Sequence, residues 1–306
     1  MKGLLNAIKT GNCALAQEIL AEEPALVHER APDGNSLLHT AINSLQGPGL
    51  HSMLEILLRA GVDVNIIGPG SSTALYLAAC MNFSCVDLLI DRGALIDGIG
   101  DCIPLHAAAA YQPTDAVSHL LDRGANVNAT DSIGWTAIHH SYDDLWPRSA
   151  SYLWDRGCRK DPFAAAAIGK FDYILKHINK SNVNFVDGSY RTPLHWSCVG
   201  QQIAVSRLLL EIGADALARD DTGYTPMHHA VRSVGSAELA AVLLKHGAEA
   251  NARSSRGFTP LHVAAICEDP DTIGLLVAHG AKLDDADDEG LTPRNIMSPE
   301  VAEQFE

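Results

Sequence analysis

Gly257-Phe258-Thr259-Pro260-Leu261-His262-Val263-Ala264-Ala265 is the stretch that decides how the whole chain is read. Thr225-Pro226-Met227-His228-His229-Ala230 and Thr192-Pro193-Leu194-His195-Trp196-Ser197 restate it. Thr136-Ala137-Ile138-His139, Ile103-Pro104-Leu105-His106 and Thr73-Ala74-Leu75-Tyr76 are looser copies, and Thr292-Pro293 opens one more. From Thr192 onward the threonines recur at steps of 33, 34 and 33 residues. A fixed period of this size means a stacked array of one repeated unit. Each copy has a physical reading. Thr before Pro starts a helix, because its hydroxyl accepts from a free backbone N–H and Pro fits the first turn. Leu and Ala then pack a short helix closely against its neighbours. A Leu-Leu pair anchors a second helix, and Gly ends that helix by taking a left-handed conformation.

Thr-Pro-Leu-His-x-Ala, a Leu-Leu pair and then Gly-Ala-x-x-Asn resembles the ankyrin repeat pattern. Leu120-Leu121-Asp122-Arg123-Gly124-Ala125-Asn126-Val127-Asn128 and Leu243-Leu244-Lys245-His246-Gly247-Ala248-Glu249-Ala250-Asn251 carry the second half of it. The resemblance runs over nearly the whole chain. It implies an all-α repeat solenoid of about nine repeats, each a helix-turn-helix with a projecting hairpin loop. Loop tips and first helices would build a concave face. In such repeats the recurring His hydrogen-bonds backbone and ties neighbouring units together. Asn65, Asn128, Asn184 and Asn251 fall where ankyrin arrays of animal cells can be hydroxylated; structurally they serve the loop turn.

The period divides residues 1–306 into a single domain. Residues 1–30 lack the Thr-Pro-Leu-His signature and read as a capping repeat. Repeats follow at 31–65, 66–97, 98–130, 131–160, 161–186, 187–219, 220–253 and 254–286. Residues 287–306 form a half-repeat and an acidic tail. Leu45-Gln46-Gly47-Pro48-Gly49 is expected to lengthen a turn, Gly68-Pro69-Gly70-Ser71-Ser72 to form a flexible loop, and Pro147 to start the second helix of repeat five. The step from Thr136 to Asp161 is only 25 residues, so repeat six loses most of one loop.

Composition narrows the partners. The chain has 306 residues and a net charge of −15. Such a balance disfavours nucleic acid and anionic membranes, which are bound through Lys and Arg. Seven scattered cysteines without a Cys-x-x-Cys, and a polar start, lead to the expectation of reduced thiols in a cytoplasmic or nucleocytoplasmic protein without a signal peptide. No cofactor and no metal are expected. The histidines at 39, 106, 139, 195, 228 and 262 occupy one repeat position. Stacking holds equivalent residues roughly 10 Å apart, too far to share an ion.

Two sets of residues are expected to carry function. The residue just before each Thr is Trp135, Arg191, Tyr224 or Phe258, and a row of exposed large side chains is typical of interface anchors. The residue after each structural His is His140, Trp196 or His229. Residues one helical turn further on share its face: Asp143 and Asp144 after His140, and Arg232 after His229. With Tyr142 these make a partner-binding surface on repeats five to nine, for a protein or peptide. Arg191 and Arg232 would meet carboxylates, and Asp143 and Asp144 would meet basic groups. The alternative is a small-ligand pocket or unusual enzyme site at the shortened repeat six, walled by His140, Asp143, Asp144, Trp196 and His229. There His140, Asp143 and His229 are the candidates for acid–base work. No catalytic residue is assigned, because no nucleophile stands with a base and an orienting group at recognisable spacing.

Overall fold

The computed structural model describes residues 1–142 and 149–305, so Asp143, Asp144 and Pro147 lie outside the described residues. The chain forms two compact units, with the boundary between Arg159 and Lys160. Among the described residues there is no β-strand, only an isolated bridge between Ile99 and Cys102. None of the described helices is long and apolar enough to cross a membrane.

The first unit carries α1 (Lys2–Thr10), α2 (Cys13–Glu22), α3 (Leu37–Ser44), α4 (Gly47–Arg59), α5 (Ala74–Met81), α6 (Val86–Asp91), α7 (Pro104–Tyr111), α8 (Thr114–Asp122), α9 (Ala137–His140) and α10 (Ala150–Asp155). The second carries α11 (Pro162–Ile168), α12 (Phe171–His177), α13 (Pro193–Val199), α14 (Ile203–Glu211), α15 (Pro226–Ala230), α16 (Ala237–Lys245), α17 (Pro260–Ile266), α18 (Pro270–Ala278), α19 (Pro293–Ile296) and α20 (Pro299–Ala302). Within each unit first helices pack on first helices, as α5 does on α7 and α13 on α15. Second helices pack on second helices, as α14 does on α16. The helices are too short to stand alone in water, so this lateral packing stabilises them.

The repeated Thr does what its position predicts. Thr192 and Thr259 accept at Oγ1 from the backbone N–H of His195 and His262. Each His returns the bond: Nδ1 accepts from the Thr N–H at 3.1 Å in both repeats. The other ring nitrogen reaches the next repeat. His195 Nε2 donates to Tyr224 O, His228 to Phe258 O and His262 to Leu291 O, at 3.1–3.2 Å. One side chain therefore caps a helix and couples two repeats. The asparagines also bridge repeats rather than serving only their own turn. Asn65 Nδ2 donates to Gly93 O at 3.0 Å while its Oδ1 accepts from Leu95 N at 2.8 Å. Asn184 makes the same pair with Gly213 and Asp215.

Two local expectations change. Gly47-Pro48-Gly49 extends α4 instead of lengthening a turn, because Pro is at home in the first helical turn. Gly68-Pro69-Gly70-Ser71-Ser72 is tied into a short 3-10 turn. Gly68 lies so close to the His39 ring that an added Cβ would overlap it. The alanines of α11 pack closely toward repeat seven. Ala164–Ala167 are buried, and a Cβ at Gly200 of α13 would overlap the Ala167 carbonyl. Small residues here let two helices come close.

Candidate functional site

Three of the hairpin loops are closed by an aspartate at their first position. Asp131 Oδ1 takes the N–H groups of Ile133 and Trp135, Asp187 Oδ1 those of Ser189 and Arg191, and Asp220 Oδ1 those of Thr222 and Tyr224. That leaves Oδ2 of each carboxylate facing the following helix. There it meets the residue nine positions on. His140 Nε2 donates to Asp131 at 2.8 Å, Trp196 Nε1 to Asp187 at 2.8 Å, and His229 Nε2 to Asp220 at 2.9 Å. These three residues were expected to face a ligand. They are instead drawn back onto their own loops, because a polar ring on a crowded inner face needs a partner. The acidic member of each pair went unread in the sequence, although an Asp stands nine residues before each of the three.

Burial corrects the row of anchors. Trp135 is 6% exposed, Tyr142 4%, Trp196 1% and His229 2%. Trp135 stacks on His139 with ring centroids 6.1 Å apart, Tyr224 on His228 at 4.8 Å, and Phe258 packs on His262 at 5.0 Å. The ring before each Thr lies over the His four residues later. Trp135, Tyr142 and Trp196 are core, and substitution there acts on folding first. Tyr224 and Phe258 stay half-buried and keep an edge on the surface. Trp135, Tyr142 and His140 belong to the first unit. Arg191, Trp196, Tyr224, His229, Arg232 and Phe258 belong to the second. The basic-group half of the expected surface rested on Asp143 and Asp144, which lie outside the described residues.

The second unit holds a groove of about 610 Å³ on repeats seven to nine. Arg191, Arg232 and Arg256 line it with Tyr224, Phe258 and Ile266. Arg191 lies 3.7 Å from Asp220 Oδ2, and its guanidinium sits over Trp196 at 5.4 Å. Arg232 and Arg256 make no ion pair among the described residues. Ile266 is 59% exposed at the rim, and Val234, 75% exposed, is another apolar side chain of the same unit. In a chain with net charge −15, three arginines in one groove form a local reversal of sign. Sequence reasoning missed Arg256, Ile266 and Tyr190. Tyr190 stands at φ 60° and is 62% exposed where the other loops have Gly134, Gly223 and Gly257. The signal was an aromatic at a position that favours glycine.

The floor of the groove is a buried pair. Burial penalises the Asp220 carboxylate, yet hydrogen bonds from His229, Thr222 and the Tyr224 N–H win and hold it well below the ordinary carboxylate range. Burial pushes His229 down to about 3, so the ring is neutral and donates through Nε2. Its Nδ1 is buried and has no hydrogen-bond partner among the described residues. The ensemble of Arg191, the Asp220 carboxylate and neutral His229 is balanced in charge. Arg232 and Arg256 are the surplus.

Comparison with known proteins agrees with the geometry. A family profile described as Ankyrin repeats (3 copies) matches residues 4–99 and 163–254. One described as Ankyrin repeats (many copies) matches 105–141, and one described as Ankyrin repeat matches 256–288. Among curated proteins, the chain is similar to ankyrin repeat and SOCS box protein 16 of Homo sapiens. The two are 30% identical over 205 residues, covering 66% of this chain and 41% of that protein. It is also similar to neurogenic locus notch homolog protein 2 of Mus musculus, 27% identical over 243 residues, covering 66% of this chain and 10% of that one. A third is the putative E3 ubiquitin-protein ligase XBAT31 of Arabidopsis thaliana, 27% identical over 172 residues, covering 51% of this chain and 37% of that one. The chain thus spans well under half the length of each. With profile matches along nearly its full length and the Thr–His cap in repeat after repeat, the chain belongs to the ankyrin repeat family.

Proposed function

We propose that this array is a protein-interaction module whose groove on repeats seven to nine takes an acidic segment of a partner. Ankyrin arrays generally act by binding proteins, and the family assignment supports that coarse reading. The acidic partner rests on one observation: Arg232 and Arg256 stand beside Arg191 in an aromatic-edged groove and are matched by no carboxylate among the described residues. Guanidinium groups bind carboxylates through paired, directional donors, and Tyr224 and Phe258 supply contact area at low entropic cost. A small polycarboxylate is the second reading, because the groove's volume falls in the range of small-molecule sites. A cytoplasmic or nucleocytoplasmic setting belongs to the same reading, supported by seven cysteines that form no disulfide with one another.

The test is fluorescence anisotropy with a labelled peptide rich in Glu and Leu, alongside a scrambled lysine-rich control. The acidic peptide should bind, and Arg232→Glu and Arg256→Glu should each weaken it about tenfold or more, with the parent affinity falling as salt rises. Equal binding by both variants, or preference for the lysine peptide, contradicts the reading. Competition by tricarballylate at low concentration would favour the small-molecule version.

A further inference from the structure

Among the described residues, four other than glycine have a left-handed backbone: Ser71, Tyr190, Gln201 and Glu268. Two of them use the side chain to hold the next repeat. Gln201 Nε2 donates to Ala230 O at 2.7 Å, and Glu268 Oε1 accepts from Ser298 N at 3.1 Å. Tyr190 does nothing of the kind. Its backbone N–H closes the hairpin turn onto Asp187 O at 3.1 Å. Its ring and hydroxyl make no hydrogen bond or ring contact among the described residues, and the residue stays exposed.

That backbone is costly for an aromatic residue. A left-handed conformation brings the Cβ of an L-residue close to the following carbonyl, which destabilises the fold. Gly134, Gly223, Gly257 and Gly290 hold the same loop position at φ 77–84° without that cost. In two of these loops the position also stands against the following loop: an added Cβ would overlap Ser255 at Gly223 and Asp288 at Gly257. Strained residues persist where the surrounding structure or a function retains them. No hydrogen bond or ring contact within the fold accounts for the Tyr190 ring, which leaves a partner as the reason for it.

The loop that carries Tyr190 is continuous with the groove. Ser255 N donates to Thr222 O at 3.0 Å and Asp221 N to Ser189 O at 3.1 Å, so the loop tips of repeats nine, eight and seven run as one ladder. Thr222 and Arg256 line the groove from that ladder, and Tyr190 stands directly before Arg191, which lines it in repeat seven. The loop ahead of α11 is short, so the Tyr190 loop is the first full-length one of the second unit. We propose that Tyr190 binds an apolar side chain flanking the acidic stretch of the partner, as an aromatic contact beyond the arginines. This rests on the reading that the groove takes an acidic segment. A Tyr ring offers much contact area and has few torsions to fix, so it adds affinity at low entropic cost. Arg232 and Arg256 supply the part of recognition that salt screens, and Tyr190 a part that salt leaves alone. Three repeats at about 10 Å each match an extended segment of about nine residues.

The probe is a labelled peptide of about twelve residues, glutamates with leucines at both ends, titrated with the full chain by fluorescence anisotropy. Tyr190→Gly should weaken binding about fivefold or more, by the same factor at low and high salt, while its urea midpoint stays equal to the parent's or rises. Exchanging the terminal leucines for serine should weaken binding to the parent by a similar factor and leave binding to Tyr190→Gly nearly unchanged, the sign of a direct contact. Arg232→Glu separates this proposal from the reading it rests on. If Arg232→Glu weakens binding while Tyr190→Gly binds as the parent does, the proposal falls and the acidic groove stands. If the parent does not bind the peptide, both fall. A lower urea midpoint in Tyr190→Gly also overturns the proposal, because the residue would then be held for folding.

Discussion

His106, Asp131 and His140 in the first unit and His195, Asp220 and His229 in the second are the same three repeat positions, and they do different things. In both, a loop carboxylate accepts from the residue after a structural histidine, at 2.8 and 2.9 Å. In the second set every polar commitment of His195 is internal: Thr192 holds Nδ1 and Tyr224 O takes Nε2. Arg191 stands at the carboxylate as well, where a cation would otherwise be drawn. In the first set Ile103 replaces Thr192 and Cys102 replaces Arg191. A cap is lost and a cation is absent, and a lone pair is left over. The difference teaches that two adjacent residues outside a cluster decide whether its structural histidine is fully committed or keeps an orphaned nitrogen.

Acid should give the largest effect, because buried histidines of both units are held neutral, His106 at about 4 among them. Burial depresses His195 and His228 to about 4 and His229 to about 3, while an unfolded chain takes up protons near 6.5. In this window the unfolded state binds more protons, so stability rises with pH. The contribution is complete above about pH 6.5 and is lost as pH falls through about 4. The summed loss for three such groups is on the order of several kcal/mol. Thermal melts at pH 7, 6, 5 and 4.5 should show Tm falling steadily. A flat Tm across that range would mean these rings are charged or already solvated.

Deleting the histidines comes next. His195→Ala leaves the Thr192 N–H and the Tyr224 carbonyl without partners, at roughly 2–4 kcal/mol. His106→Ala breaks a single bond to Ala129 and should cost about half as much. Urea unfolding of the two variants compares them, and equal losses would deny that His106 is under-committed.

Exchanging the capping residues is the gentlest test. Thr192→Ile should cost about 1–2 kcal/mol as a lost N-cap, and Ile103→Thr should gain up to about 1 kcal/mol. The signs should be opposite in denaturant titrations of the two single variants. A loss in both would mean that Ile103 is needed for packing and that the orphaned nitrogen is incidental.

Much of the fold was legible because a repeat states itself several times. Thr-Pro-Leu-His gave the helix starts, the caps and the ties between repeats. The site was legible only in part. Arg191, Tyr224, Arg232 and Phe258 do line a groove, since periodicity assigns a face to each position. Trp135 and Trp196 were misread because periodicity gives direction and not depth. The first lies over His139, and the second spends its N–H on Asp187. His106 was read only in part: it does tie to the backbone at Ala129 O, but its Nδ1 is left without a partner among the described residues. Its membership of the repeated set argued that it was satisfied, while the one residue that distinguishes it, Ile103, stands three positions earlier.

The most direct measurement is a long-range ¹H–¹⁵N correlation spectrum of the histidine rings near pH 7, with Ile103→Thr used to assign His106. His195 and His106 should both appear as the tautomer protonated at Nε2. His195 Nδ1 should resonate as a nitrogen accepting a hydrogen bond, and His106 Nδ1 further downfield as a free lone pair that moves toward the His195 value in Ile103→Thr. A His106 ring protonated at Nδ1, or a shift already equal to that of His195, would contradict the account.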